Sequence, residues 1–125
     1  TNRNKIIFYT FFFKIMTNFK RVAQKIAKSR MLYLFHLANE VFPENSERAN
    51  RYADLAMRYA QRAKIKIPKE WKHRICHKCK SFLYPGINCR IRLQSRKGKA
   101  SHLTVTCLEC NHQTRYFIHT KNQKI

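Results

Sequence analysis

Two glycines and three prolines in 125 residues leave no room for a low-complexity or linker-like chain. Six acidic residues are too few to build a carboxylate-held catalytic metal site. The chain also has no paired carboxylates, no Ser/His/Asp order and no glycine-rich phosphate loop, so no enzyme motif stands out. Long hydrophobic runs are missing too. The longest, Ile6 to Phe13, is broken by Thr10 and falls far short of the roughly 20 residues that span a bilayer. Its basic start mimics a secretion signal, but no small-residue cleavage site follows it. Residues 1–15 are therefore expected to be a leader, disordered or not native, with Met16 a natural start.

What the sequence has in excess is positive charge. Lys and Arg number 27, and the net charge is +21. Such a charge repels itself in a compact chain and implies a polyanionic partner. Nucleic acid is the first candidate and an acidic membrane surface the second. Five cysteines are present, four of them in two pairs: Cys76-His77-Lys78-Cys79 and Cys107-Leu108-Glu109-Cys110. Two such turns supply the four soft ligands of a closed tetrahedral Zn²⁺ shell. Cys76, Cys79, Cys107 and Cys110 are thus the expected ligands of one structural zinc. A closed shell leaves no position for a catalytic water. Thiols used in this way suit a reducing, cytoplasmic compartment without structural disulfides.

Between the pairs, Asn88 to Gln94 alternates, with Cys89, Ile91 and Leu93 on one side and Asn88, Arg90, Arg92 and Gln94 on the other. This period predicts a strand with one buried and one basic face. Ser95 to Ser101 reads as a basic turn with Gly98 at its bend. Leu103, Val105 and Thr106 form a second strand and Thr114 to Ile118 a third. Arg90, Arg92, Arg96, Lys97, Lys99 and Arg115, with Lys78 and Lys80 on the knuckle, are the candidate phosphate contacts. Tyr84, Tyr116 and Phe117 read first as core, and second as stacking surfaces for unpaired bases. Cys89 reads as a small buried hydrophobe.

The N-terminal half is helical in pattern. Residues 17–42 carry Phe19, Val22, Ala23, Ile26, Leu34, Leu37, Ala38 and Val41 at helical spacing, with Thr17 or Asn18 as cap. Arg30 falls on that stripe, either snorkelling from a core edge or reaching a partner. After the break at Pro43, Asn45 or Ser46 caps a second helix over about 47–65, which Ile67-Pro68 ends. Its alanine face predicts a closely packed antiparallel pair. The expected architecture is α+β: a two-helix hairpin (16–67), a linker (68–75) in which Trp71 packs the ribbon onto the helices, a three-stranded zinc ribbon (76–119) and a tail (120–125).

An ordered set of segments carries a resemblance. They are Ile26-Ala27, Arg30 and Leu34; Tyr52-Ala53-Asp54-Leu55-Ala56; Lys66-Ile67-Pro68; Arg74-Ile75-Cys76-His77-Lys78-Cys79; Pro85-Gly86-Ile87-Asn88-Cys89-Arg90-Ile91-Arg92; and Thr106-Cys107-Leu108-Glu109-Cys110. Over about residues 16–119 the chain resembles ribonuclease P protein component 4, the archaeal zinc-ribbon subunit family. Asn111 stands where such knuckles often carry glycine. The resemblance implies a noncatalytic subunit of the ribonucleoprotein that removes 5′ leaders from precursor tRNA, with catalysis by the RNA subunit. It implies pairing with protein component 1 through the hairpin, for which Arg30, Leu34, Tyr52, Leu55 and Tyr59 are the candidate contacts. It also implies binding to ribonuclease P RNA, indirect contact with precursor tRNA, and no membrane. The alternative is a stand-alone zinc-ribbon nucleic-acid binder of the ribosome or transcription machinery.

Overall fold

The computed structural model describes residues 2–96 and 99–118, with side chains from 5 to 95 and from 100 to 118. It divides into two compact units, residues 1–68 and 69–125. The first is a helical hairpin and the second a three-stranded sheet with two cysteine knuckles. Among the described residues, no helix is long and apolar enough to cross a membrane.

In the hairpin, α1 runs Asn2–Val41 and α2 runs Ser46–Ala63. Their shared core sets Met31, Phe35 and Ala38 of α1, and Phe42 just after its end, against Ala49, Ala53, Ala56 and Ala60 of α2. Small residues on one helix let the backbones approach, and bulky ones on the other fill the seam. These buried positions recur at seven-residue steps, 31 to 38 along α1 and 35 to 42 into the turn that follows it, the spacing of two helices packed nearly antiparallel. The expected stripe was rotated from this line. Leu34, Leu37 and Val41 flank the seam half-buried, while Phe19, Val22 and Ile26 are exposed. Periodicity alone does not show which neighbouring line meets the alanines.

The helix also starts earlier than the sequence suggested. Residues 2–15 are its first turns, and the expected caps Thr17 and Asn18 lie inside it, where the Thr17 hydroxyl donates to the Lys14 carbonyl at 2.8 Å. With 40 residues against 18, α1 extends well beyond α2, and Ile6, Phe8, Phe11 and Phe13 on the extension are exposed. Near the start of the paired region, Gln24 Nε2 donates to the Ala63 carbonyl at 3.1 Å and ties α1 to the end of α2.

Asn45 caps α2 as expected, its side chain accepting from the Arg48 amide at 3.0 Å. The helix ends at Lys64, three residues before the Ile67-Pro68 stop read from the sequence. Lys64 is left-handed (φ 53°), and Ile65 N–H donates to the Ala60 carbonyl at 3.0 Å, closing a Schellman turn. Lysine carries a Cβ penalty in this conformation that glycine lacks. Lys64→Gly is expected to raise the unfolding free energy by about 1 kcal/mol. Urea titration followed by helical circular dichroism checks this, and an unchanged or lower midpoint contradicts it.

In the second unit a short helix α3, Lys69–Lys72, sits within the segment expected to be a plain linker. Its Trp71 is buried and stacks on Phe82, ring centroids 6.5 Å apart. The Arg74 guanidinium lies 4.9 Å from the Phe82 ring centre, 5.5 Å from Tyr84 and 5.7 Å from Trp71. Its Nε donates to the Leu83 carbonyl at 3.3 Å. Burial lowers the Arg74 pKa from its usual value, and the nearby Tyr84 and Cys89 oppose that shift.

The sheet follows as β1 (Cys89–Arg96), β2 (Lys99–Cys107) and β3 (Gln113–Phe117), an antiparallel meander in the order β1-β2-β3. Cys76, Leu83, Cys89, Val105 and Cys107 form its core, with Cys110 and Tyr116 packed against them. The core is confined to the knuckle end. Farther along the same face Ile91 and Leu93, expected to be buried, are 48% and 67% exposed.

Candidate metal centre and nucleic-acid interface

Both knuckles use the same backbone device. The Cys76 amide donates to the Ser81 carbonyl (3.0 Å) and the Cys107 amide to the His112 carbonyl (2.9 Å), each bond closing a six-residue loop, 76–81 and 107–112. The residue after each second cysteine is left-handed: Lys80 at φ 61° and Asn111 at φ 57°. Asparagine tolerates that region, so Asn111 serves where a glycine was the common choice. These bends turn all four thiols inward. Asn88 holds the two knuckles in register. It accepts from the Tyr84 amide through Oδ1 (2.6 Å), donates to the Phe82 carbonyl through Nδ2 (2.8 Å), and accepts from the Leu108 amide on its own carbonyl (2.8 Å). Asn88 is buried in the turn before β1, so its expected place on the basic face is corrected.

The sulfurs of Cys76, Cys79, Cys107 and Cys110 all lie within 4.8 Å of one another. Cys76 and Cys110 Sγ are 3.5 Å apart, and Cys79 and Cys107 Sγ 3.7 Å apart. A tetrahedron with 2.3 Å metal–sulfur bonds has edges of about 3.8 Å, whereas a disulfide is only about 2.05 Å long. The four thiols are therefore positioned to hold one metal ion, and the geometry and all-sulfur donor set fit Zn²⁺.

The electrostatics differ between ligands. Burial pushes the Cys107 thiol up to about 12 and also raises Cys76. Burial acts the same way on Cys79, but hydrogen bonds involving Ser81 outweigh it and bring that thiol down to about 7. The Ser81 hydroxyl donates to Glu109 Oε2 at 2.6 Å, joining the end of the first knuckle to the middle of the second. Cys89 is buried behind the site, its thiol also raised by burial, as a small hydrophobe should be.

The strand register places the candidate phosphate contacts. Residues directly opposite in an antiparallel pair share a face. Arg90 faces Thr106, which faces Gln113; Arg92 faces Thr104, which faces Arg115; and Gln94 faces His102, which faces Phe117. Arg90, Arg92 and Arg115 are all exposed on this face, and Lys78 and Lys80 are exposed on the first knuckle. Among the described residues the only ion pair is Arg58 with Asp54 on α2, so none of these five is neutralised by a carboxylate. Lys97 and Gly98, and the side chains of Arg96 and Lys99, lie outside the described residues, as does the tail. Of the aromatics, Phe117 is 61% exposed, while Tyr84 and Tyr116 are half-buried.

On the hairpin, Arg30 and Leu55 are exposed and Leu34, Tyr52 and Tyr59 half-buried. Tyr52, Leu55 and Tyr59 form a line beside the buried alanines of α2, and Leu55 and Tyr59 share a shallow groove with Arg58 and Arg62. The reading from sequence passed over Thr104, the Ser81–Glu109 bridge and the structural use of Asn88. Only Asn88 had a local signal, an asparagine closing a Pro-Gly turn.

Residues 30–111 match the RNAse P Rpr2/Rpp21/SNM1 subunit domain. The chain belongs to this family. The ribonuclease P protein component 4 of Pyrococcus furiosus is 50% identical over 99 residues, 79% of this chain and 83% of that protein. A chain in the cryo-EM structure of archaeal ribonuclease P with mature tRNA superposes with a TM-score of 0.67 at 43% identity, covering 75% of this chain and 78% of that one. The solved structure of Pfu Rpp21 gives 0.54 at 48% identity, over 74% and 99% of the two chains. The family match takes in both knuckles, β1, β2 and all of α2, and therefore the whole metal site. The four-cysteine cluster of this chain thus lies wholly within the segment that matches the ribonuclease P subunit family.

Proposed function

We propose that this chain is a noncatalytic protein subunit of a ribonuclease P that removes 5′ leaders from precursor tRNA in the cytoplasm. The reading rests on one observation above the others: the similarity to a chain in archaeal ribonuclease P with mature tRNA, along three quarters of this chain. Cys76, Cys79, Cys107 and Cys110 hold one structural zinc, which when bound crosslinks the two knuckles and does no chemistry on substrate. The sheet then presents Arg90, Arg92 and Arg115, and the first knuckle Lys78 and Lys80, to phosphates of the ribonuclease P RNA; Arg96, Lys97 and Lys99 are further phosphate contacts proposed from the sequence alone. These cations offset phosphate repulsion and stabilise the folded RNA. The hairpin meets protein component 1 through Arg30, Leu34, Tyr52, Leu55 and Tyr59. Contact with precursor tRNA is indirect, through the RNA subunit.

Reconstitution tests the reading. Adding this chain with component 1 to ribonuclease P RNA is expected to speed precursor tRNA cleavage and lower its Mg²⁺ requirement, and the protein pair without RNA is expected to cleave nothing. No stimulation, or cleavage without RNA, contradicts the proposal.

The charge assignment has its own check. Arg90→Ala and Arg92→Ala are each expected to weaken RNA binding and reduce the slope of log affinity against log salt by about 0.7–0.9. An unaltered slope removes that residue from the phosphate contacts.

A further inference from the structure

The middle strand of the basic face holds a polar group with nothing to bond. Thr104 is only 6% exposed, and its hydroxyl has no hydrogen-bond partner. A buried hydroxyl left unsatisfied is costly, so a folded chain seldom keeps one without a use for it. On one flanking strand its neighbour is Arg92 and on the other Arg115, both exposed and unpaired with any described carboxylate. The two arginines are about 10 Å apart across the strands, leaving a trough between two long cationic side chains. The hydroxyl oxygen is itself closed to solvent, so an incoming oxygen reaches it only when the side chains around it shift.

One row along, Phe117 presents an exposed ring beside Arg115 on β3, about 7 Å away. The ring stands 5.8 Å from that of His102, whose Nε2 donates to Gln94 Oε1 at 3.0 Å. His102 is thereby held still under one edge of the platform. A cationic trough with a neutral donor at its floor, next to an exposed aromatic ring, matches the parts of a single nucleotide.

We infer that Arg92, Thr104 and Arg115 form a seat for one phosphate of an unpaired stretch of RNA, with an adjacent base stacked on Phe117. This rests on the subunit reading for the source of the RNA and adds to it the point of grip. Thr104 donates its hydroxyl proton to a non-bridging phosphate oxygen while the two guanidinium groups close on the others. The seat asks for single-stranded RNA, because a paired base is not available to the ring.

The test is a binding titration of the full chain at several KCl concentrations, against two probes: the ribonuclease P RNA transcript and a single-stranded oligouridylate. Thr104→Val is expected to keep its metal and melt no lower than the wild type, since it removes an unsatisfied hydroxyl. It is expected to bind both probes roughly tenfold more weakly, with the salt slope unchanged because no charge is lost. Thr104→Ser, which keeps the hydroxyl, is expected to bind within about twofold of the wild type. Wild-type affinity in the valine variant overturns the seat and leaves the subunit reading standing, as does weakening that appears only with loss of metal or of melting temperature. A tenfold loss on both probes, with no wild-type preference for the ribonuclease P RNA, keeps the seat and overturns the subunit reading. Failure of the wild type to bind either probe overturns both.

Discussion

Cys76→Ser is expected to abolish metal binding and unfold the C-terminal unit while leaving the hairpin helical. The buried apolar residues of that unit are few: Trp71, Ile75 and Phe82 lie beside a cluster of Cys76, Leu83, Cys89, Val105 and Cys107, in which three of the five are cysteines. Such a core is too small to order three strands unaided, which is the situation in which small domains depend on a metal. A structural zinc contributes on the order of 10 kcal/mol to folding. Serine offers a hard hydroxyl in place of a thiolate and leaves the Cys110 sulfur, 3.5 Å away, without its neighbour. The hairpin has its own core of Met31, Phe35, Ala38 and Phe42 on four alanines, so its helical signal persists. Metal analysis with amide NMR dispersion of the C-terminal unit measures both parts of the prediction. RNA binding falls with the sheet, because the strands that carry Arg90, Arg92 and Arg115 no longer hold them on one face. A serine variant with unchanged melting and RNA affinity contradicts the scheme.

Asn88→Ala is the second large effect, a loss of about 3 kcal/mol. The side chain satisfies the Tyr84 amide and the Phe82 carbonyl, and it is 7% exposed, so water is poorly placed to replace it. Alanine strands one donor and one acceptor, each costing about 1–3 kcal/mol. The backbone bond from Leu108 to the Asn88 carbonyl survives only if the turn keeps its shape, which couples the loss to the second knuckle. Metal affinity is expected to fall with stability. Denaturant titration of the metal-loaded protein measures the change, and a loss below about 1 kcal/mol removes Asn88 from the bracket holding the knuckles.

The parts legible in the sequence were those whose physics is local. A CxxC pair places two thiols on one turn whatever surrounds it, so the pairs that gather into the four-cysteine cluster could be read from spacing, and Asn45 could be read as a cap from its own side chain. Alternation in β1 correctly separated Arg90 and Arg92 from Cys89. It did not show how far the core extends: Ile91 and Leu93 share the face of Cys89 but lie beyond the reach of the knuckles. The α1 seam was displaced because Met31, Phe35 and Phe42 are selected by the alanines opposite, a contact at long sequence distance. The start of α1 was missed because Thr17 and Asn18 look like caps, yet the helix runs through them. Thr104 was invisible for a similar reason. It matters only through the register that sets it between Arg92 and Arg115.

Native mass spectrometry of the freshly isolated protein bears most directly on whether four sulfurs and one metal ion hold the three-stranded sheet together. The predicted mass is that of the chain plus one zinc, with all five thiols accounted for as ligands or as free Cys89. A chain without metal, or one lighter by the hydrogens lost to disulfides among Cys76, Cys79, Cys107 and Cys110, would contradict it.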